Sequence, residues 1–312
     1  MPKAARRVTA VKQPKPQSKT TIPSTTSVAE RSKTLPSGYQ LLRSSVSLLW
    51  QHKKLFGGIL FAIGCIQLVA IQGVLNTDFA SVRTNAADIF GHQWLGLTTG
   101  TVSYVYLLGS SGQPSSTEAG LYQSSLLIIA ILAIVWALRE LTAGNQPRIR
   151  DTFYKGMTPF VPFTLITLVL GLQLLPAVLG AWVYSIVTTN GIAVHTYEYV
   201  GWFLIFILLV ALSARFITGS LFALVIATLP NATPIASLRS AQTLVHKRRL
   251  VVFRKLLFLD VALLVCMTIV VLPAILLLPA IVPVLFYVMS LLMFALAIVY
   301  VYVTYQELVR YA

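Results

Sequence analysis

Acidic residues are scarce. The chain has 312 residues and only nine Asp and Glu, against 24 Lys and Arg. Eight of the nine acids fall in loops, the N-terminal tail or the ends of apolar runs, which leaves little for acid–base chemistry inside those runs. Cysteine is nearly absent too. Cys65 and Cys266 each lie within an apolar run, so neither a disulfide framework nor a cysteine zinc site is available; both read as small packing residues. No glycine-rich phosphate loop, nucleophile elbow or HExxH pattern occurs. Charged residues of both signs make up 11% of the chain, where a soluble domain carries about a quarter. These deficits oppose a soluble enzyme, and the reading is of a protein without catalytic residues, metal or cofactor.

What is abundant is apolar. Hydrophobic residues make up 56% of the sequence, and the mean hydropathy is +0.78. Six runs are long enough to cross a bilayer: about Leu55–Leu75, Tyr122–Leu141, Pro159–Val187, Val200–Leu229, Leu256–Leu278 and Ile281–Tyr305. None alternates as a barrel strand would, and lipid-facing backbone must satisfy its own hydrogen bonds. The expected fold class is all-α: a six-span transmembrane bundle with short amphipathic interfacial helices. Of the 24 bases, 22 fall in the tail, the second-to-third and fourth-to-fifth connections and the C-terminus, on one side of such a bundle. That asymmetry marks the cytoplasmic face, so both termini are expected to be cytoplasmic and the chain multi-pass in an inner (plasma) membrane.

The basic excess does not indicate nucleic acid, because nothing in the chain reads a groove or stacks on bases. The partner expected from it is the bilayer, with anionic lipid meeting Lys247, Arg248, Arg249 and the N-terminal tail; no protein partner is indicated. Residues 1–37, rich in Lys, Arg, Pro, Ser and Thr, are expected to be a disordered cytoplasmic tail, with residues 38–312 the membrane domain. Within it, residues 76–120 are expected to form an extracytoplasmic loop. There Val102, Tyr104 and Tyr106 alternate as in a strand, and a re-entrant segment is the alternative.

Two basic segments look alike. Leu42-Arg43-Ser44-Ser45 matches Leu238-Arg239-Ser240-Ala241. His52-Lys53-Lys54 then matches His246-Lys247-Arg248 if Trp50-Gln51 is a two-residue insertion. Leu42, Val46 and Leu49 share a stripe, as do Ile235, Leu238, Ala241 and Val245. Thr233-Pro234 is a helix start, and Ile149, Thr152 and Phe153 sit at helical spacing in the middle connection. The pattern predicts three units, each an interfacial helix followed by a membrane hairpin.

The run Pro234-Ile235-Ala236-Ser237-Leu238-Arg239-Ser240-Ala241 with Lys247-Arg248-Arg249, the opening Leu41-Leu42-Arg43-Ser44-Ser45, and Trp136-Ala137-Leu138-Arg139 resemble motifs of uncharacterised six-span bacterial membrane proteins. The layout is loosely similar to the membrane domain attached to some glycerophosphodiester phosphodiesterases. The resemblance covers about residues 38–312 and implies a bacterial inner-membrane protein. The phosphodiesterase catalytic domain has no counterpart here, so its activity is not implied.

Within the spans two polar residues stand out. Arg215 lies roughly 20 Å along the fourth run from Trp202 at 1.5 Å per residue. Asp260 lies about four residues into the fifth, or about 6 Å. An Arg215–Asp260 pair is the expected arrangement, structural in preference to a gate or proton station. Weaker candidates are His195 and Glu198, with His92 a conceivable third metal ligand, and Arg139 and Glu140, which can pair with Arg148 or Asp151 or anchor the inner interface. The fourth run is longer than a bilayer needs; we read a long tilted helix, with a break near Ser213–Ser220 the alternative. Pro176 and Pro273 are expected to kink their spans. The role expected is a non-enzymatic cell-envelope scaffold or accessory protein; alternatively, a small permease or lipid- or anion-handling transporter.

Overall fold

The computed structural model describes residues 36–71, 117–192, 195–229, 232–278 and 281–311. All regular structure among them is helical: α1 (Gly38–Gln51), α2 (Lys53–Ile71), α3 (Thr117–Thr142), α4 (Ile149–Gly156), α5 (Phe160–Thr189), α6 (Thr196–Ser220), α7 (Ala223–Ile226), α8 (Pro234–Val245), α9 (Arg249–Leu277) and α10 (Val282–Arg310). A 3-10 turn, His246–Arg248, joins α8 to α9. Among the described residues five helices are long and apolar enough to span a membrane: Gly120–Thr142, Phe160–Thr189, Thr196–Ile226, Arg249–Ile275 and Val282–Arg310. The expected count was six. The first expected span, Leu55–Leu75, corresponds to α2, whose described part stops at Ile71, so its outer end lies outside the described residues. So do the expected strand-like stretch at Val102–Tyr106 and the tail up to residue 35. Ser37, the last residue of the expected tail, is the N-cap of α1, which starts at Gly38. The Ser37 hydroxyl accepts from Gln40 N–H, and Gln40 Oε1 accepts from Ser37 N–H.

The three expected units are present, and their burial register is shared. Ser37, Arg148 and Thr233 are the N-caps of α1, α4 and α8. Four and eight residues after each cap the side is buried: Leu41 and Ser45, Thr152 and Gly156, Ser237 and Ala241. The long helix that follows then buries positions i, i+3 and i+7: Phe56, Ile59 and Ile63 in α2, Phe163, Ile166 and Leu170 in α5, Val252, Lys255 and Leu259 in α9. This spacing keeps one stripe facing inward at 3.6 residues per turn. The two-residue insertion expected at Trp50-Gln51 is not needed: α1 and α8 start 196 residues apart, and so do α2 and α9.

The units close on one another in a ring. The short helix of each unit rests on the hairpin of the unit before it: α4 on α3, α8 on α5 and α6, and α1, coming round, on α9 and α10. The second span of each unit likewise packs on the first span of the next: α3 on α5, α6 on α9, α10 on α2. Gly156 permits one of these contacts. A Cβ there would sit 3.4 Å from Ala133 Cα, Leu132 O and Trp136 Cβ of α3, so α4 lies almost directly on the α3 backbone, a small-residue approach typical of helices in lipid. At the ring closure, Tyr300 of α10 is fully buried with Leu41 of α1 and Leu259 of α9. Its hydroxyl donates to Lys255 O at 3.1 Å, while Lys255 Nζ donates to Pro36 O at 2.7 Å.

Since α1, α4 and α8 and the starts of α2, α5 and α9 lie together, the bundle has a basic end and an opposite end. The fourth run follows one helical span, Thr196–Ile226, as the long-helix reading expects; its ladder loosens only at Leu221–Phe222, between α6 and α7, where both residues keep right-handed helical angles.

Candidate functional site

Two sets of polar residues stand out in the described helices: side chains bonded across helix contacts, chief among them those of the α5–α6 seam, and arginines gathered at the basic end. Pro176 lies inside α5 and disturbs its backbone ladder, and Ala177 N–H donates across the seam to Ser213 Oγ at 3.0 Å. A neighbouring hydroxyl is a common way to satisfy a proline-disturbed membrane helix. One turn below, Gln173 Nε2 donates to Ser220 Oγ at 2.9 Å, and Thr218 donates back to Ala214 O within α6. Elsewhere Tyr287 donates to Gly64 O at 2.8 Å, tying α10 to α2.

Arg139 ends α3 and reaches the turn after α7, where its guanidinium donates to Thr228 O. Carbonyls at a helix end lack partners within the helix, and Arg139 supplies one. It makes no pair with Asp151 or Arg148, and Glu140 instead accepts from Asn145 Nδ2 at 2.8 Å. A cavity of about 400 Å3 adjoins Arg139, lined also by Trp136, Lys155 and Thr158. Arg139→Ala is expected to cost about 1.5–3 kcal/mol, the usual range for a hydrogen bond from a charged donor. Arg139→Lys should recover part of it, read as the thermal midpoint of the detergent-solubilised protein.

His195 and Glu198 start α6. His195 N–H donates to Glu198 Oε2 at 3.2 Å, and the His195 ring stacks on Tyr197 at 5.3 Å. A carboxylate in the first turn complements the helix dipole, so the pair has a capping role. His92, its conceivable companion ligand, lies outside the described residues.

Arg215 and Asp260 are not brought together. Both side chains are exposed on the outside of the bundle, and the one ion pair among the described residues is Arg310–Glu307 at 2.8 Å. The reason is the level at which α9 begins. Arg215 shares a groove with Arg249, the first residue of α9, and Asp260 lies eleven residues further on, roughly 16 Å along the helix. That groove, of about 260 Å3, is lined by Ala211, Ala214, Arg215 and Thr218 of α6 and by Arg249, Leu250 and Phe253 of α9. A larger open cleft of about 940 Å3 shares Arg249 and adds Arg239, Arg248, His246 and Tyr311. Of the basic residues expected to meet anionic lipid, Arg248 and Arg249 thus line this cleft.

Comparison of the chain with family models, with curated proteins and with solved structures finds no match. Several long apolar helices identify an integral, multi-pass membrane protein.

Proposed function

We propose that this integral membrane protein has a non-enzymatic, structural role in the cell envelope, as a scaffold or accessory protein of a bacterial inner membrane, with its basic end and both termini in the cytoplasm. The observation that carries this reading is the α5–α6 seam. A permease would line a mid-membrane path with Arg215, Thr218, Ser220 and Gln173. Instead Gln173 bonds to Ser220 and Ser213 to the backbone of Ala177, holding the two spans together through the groups a substrate would need. The basic asymmetry between the ends supports the orientation.

The test is reconstitution of the full chain. Proteoliposomes should scramble fluorescent phospholipid and leak entrapped anions no faster than protein-free vesicles. A flux well above that background and abolished by Gln173→Leu would overturn the structural role and favour a transporter. Orientation is read separately, with impermeant thiol reagents on intact cells. Cysteines placed at Asn145 and Asn190, separated by the single span α5, should differ, and only Asn190→Cys should react from outside. The native Cys65 and Cys266, inside α2 and α9, should stay unlabelled.

A lipid-handling role is the second reading, favoured by the groove in which Arg215 and Thr218 do meet.

A further inference from the structure

Two arginines without protein partners meet at the membrane boundary. Arg215, on α6, makes no hydrogen bond or ion pair among the described residues, and Arg249, opposite it on α9, has its Nε buried with no hydrogen-bond partner. Both line the same groove of about 260 Å3, and no acid lines it. The adjoining cleft adds Arg239 and Arg248, again with no acid in its wall. The contrast with Arg139 is direct. That arginine also ends a span at the basic end beside a cavity, but its guanidinium is bonded to Thr228 O.

Two guanidinium groups confined to one small groove repel each other, and a buried N–H without an acceptor carries a desolvation cost. An anion removes both penalties. Phosphate matches the guanidinium fork geometrically, with paired N–H···O bonds that a point charge does not make. Asp260, the acid that follows on α9, is roughly 16 Å away along the helix and does not neutralise the site. Apart from Thr218, whose hydroxyl is bonded back to Ala214 O, the rest of the groove is apolar. Ala211 and Ala214 keep α6 slim, and Leu250 and Phe253 of α9, both exposed, complete a channel facing the lipid side. A polar end carrying two positive charges, continued by an apolar wall at the start of a span, fits a molecule that is itself phosphate at one end and hydrocarbon at the other.

We infer that the α6–α9 groove binds an anionic phospholipid, its phosphate held between Arg215 and Arg249 and the beginning of its acyl region lying against Ala211, Ala214, Leu250 and Phe253. Arg239 and Arg248 face the outer, more polar part of the head group. The site holds a lipid without moving it under the structural role proposed above, and it would serve equally in a transporter, so its test is independent of that reading.

The experiment is native mass spectrometry of the full chain released from detergent micelles doped with phosphatidylglycerol or phosphatidylcholine, with and without millimolar inorganic phosphate. Phosphatidylglycerol should be retained in preference to phosphatidylcholine, whose choline the arginines repel. Arg215→Gln and Arg249→Gln should each reduce that retention by about tenfold, the loss of a charge-assisted bond. Ala214→Trp fills the groove without changing charge and should have a comparable effect, which general attraction to a basic surface does not explain. Lys54→Gln, which removes an exposed base of α2 outside both the groove and the cleft, should leave retention close to wild type. Equal retention by the two arginine variants and wild type would overturn the inference, as would full retention by Ala214→Trp. Displacement of the lipid by inorganic phosphate would assign the arginines to a soluble phosphate and sink the lipid site. Size-exclusion profiles identify any variant that fails to fold. If an arginine variant does, Arg215→Lys, which keeps the charge and loses the fork, decides by whether retention falls.

Discussion

Replacing Gly156 by leucine is expected to release α4 from the bundle, at a cost of about 3 kcal/mol or more, the upper range for forcing extra carbons into a filled contact. The position explains the size of the effect. A single added methyl would already touch Ala133 Cα and Leu132 O of α3 at 3.4 Å. Those are backbone atoms, which do not swing aside as a side-chain tip does. Three further carbons therefore have no space unless α4 moves off α3. Gly156→Ala should behave in the opposite way: 3.4 Å is ordinary van der Waals contact, and alanine gains up to about 1 kcal/mol over glycine in a helix. The measurement is the thermal midpoint of both variants in detergent, with cleavage near Lys155 by added protease as a local readout. A leucine variant as stable as wild type would show that α4 does not rest on α3 as described.

Truncation of Tyr300 is the second large effect. The side chain is 0% exposed and fills the junction of α1, α9 and α10 with Leu41 and Leu259. Removing a buried aromatic ring typically costs about 3–5 kcal/mol, because the surroundings only partly collapse into the void. Lipid does not enter a cavity of that kind, so the packing loss applies within a membrane as well. Tyr300→Phe removes only the hydroxyl that donates to Lys255 O, a bond of a class worth about 0.6 kcal/mol on average in membrane proteins. The two variants should separate clearly in SDS unfolding followed by tryptophan fluorescence. Only Tyr300→Ala should make the segment before α2 sensitive to protease, since Tyr300 is a principal seat of α1. Equal midpoints for the two variants would mean that the ring itself contributes little.

The sequence shows the spans because lipid leaves the backbone no alternative to helix, and five of the six apolar runs correspond to long described helices with ends moved by up to seven residues. The short helices are legible for a different reason. Thr233-Pro234 is a start signal that the structure realises, the Thr233 hydroxyl accepting from Ala236 N–H. Ser37 performs the same task for α1 but is surrounded by residues of tail-like composition, so composition alone assigns it to the tail. The match between the first and third units is visible in the bases, yet aligning the bases introduces a spurious insertion. Surface charges drift between units, while the buried positions Leu41, Thr152 and Ser237 keep their register.

The Arg215–Asp260 pair fails on a boundary. Counting the fifth span from Leu256 places Asp260 about 6 Å in. Because α9 starts at Arg249, its first two turns mix three bases, Arg249, Arg254 and Lys255, with Leu250, Val251, Val252 and Phe253, and the acid is correspondingly deeper. Hydropathy does not register an amphipathic helix start as part of a span. It also says nothing about which faces of α6 and α9 meet, and so nothing about Arg249 standing beside Arg215. The shared 196-residue spacing is the one trace in the sequence that leads to the correct start of α9.

The closed ring of units has a consequence for biogenesis. A chain emerging from the ribosome delivers its hairpins in order, and each new short helix finds the preceding hairpin already in place. The exception is α1. It is made first, yet its seat on α9 and α10 is made last, and the lysine that fastens Pro36 belongs to the third unit. Until synthesis is nearly complete, the amphipathic start of the protein has only lipid to lie on, so a chain arrested before α10 carries an unseated helix that quality-control proteases can grip.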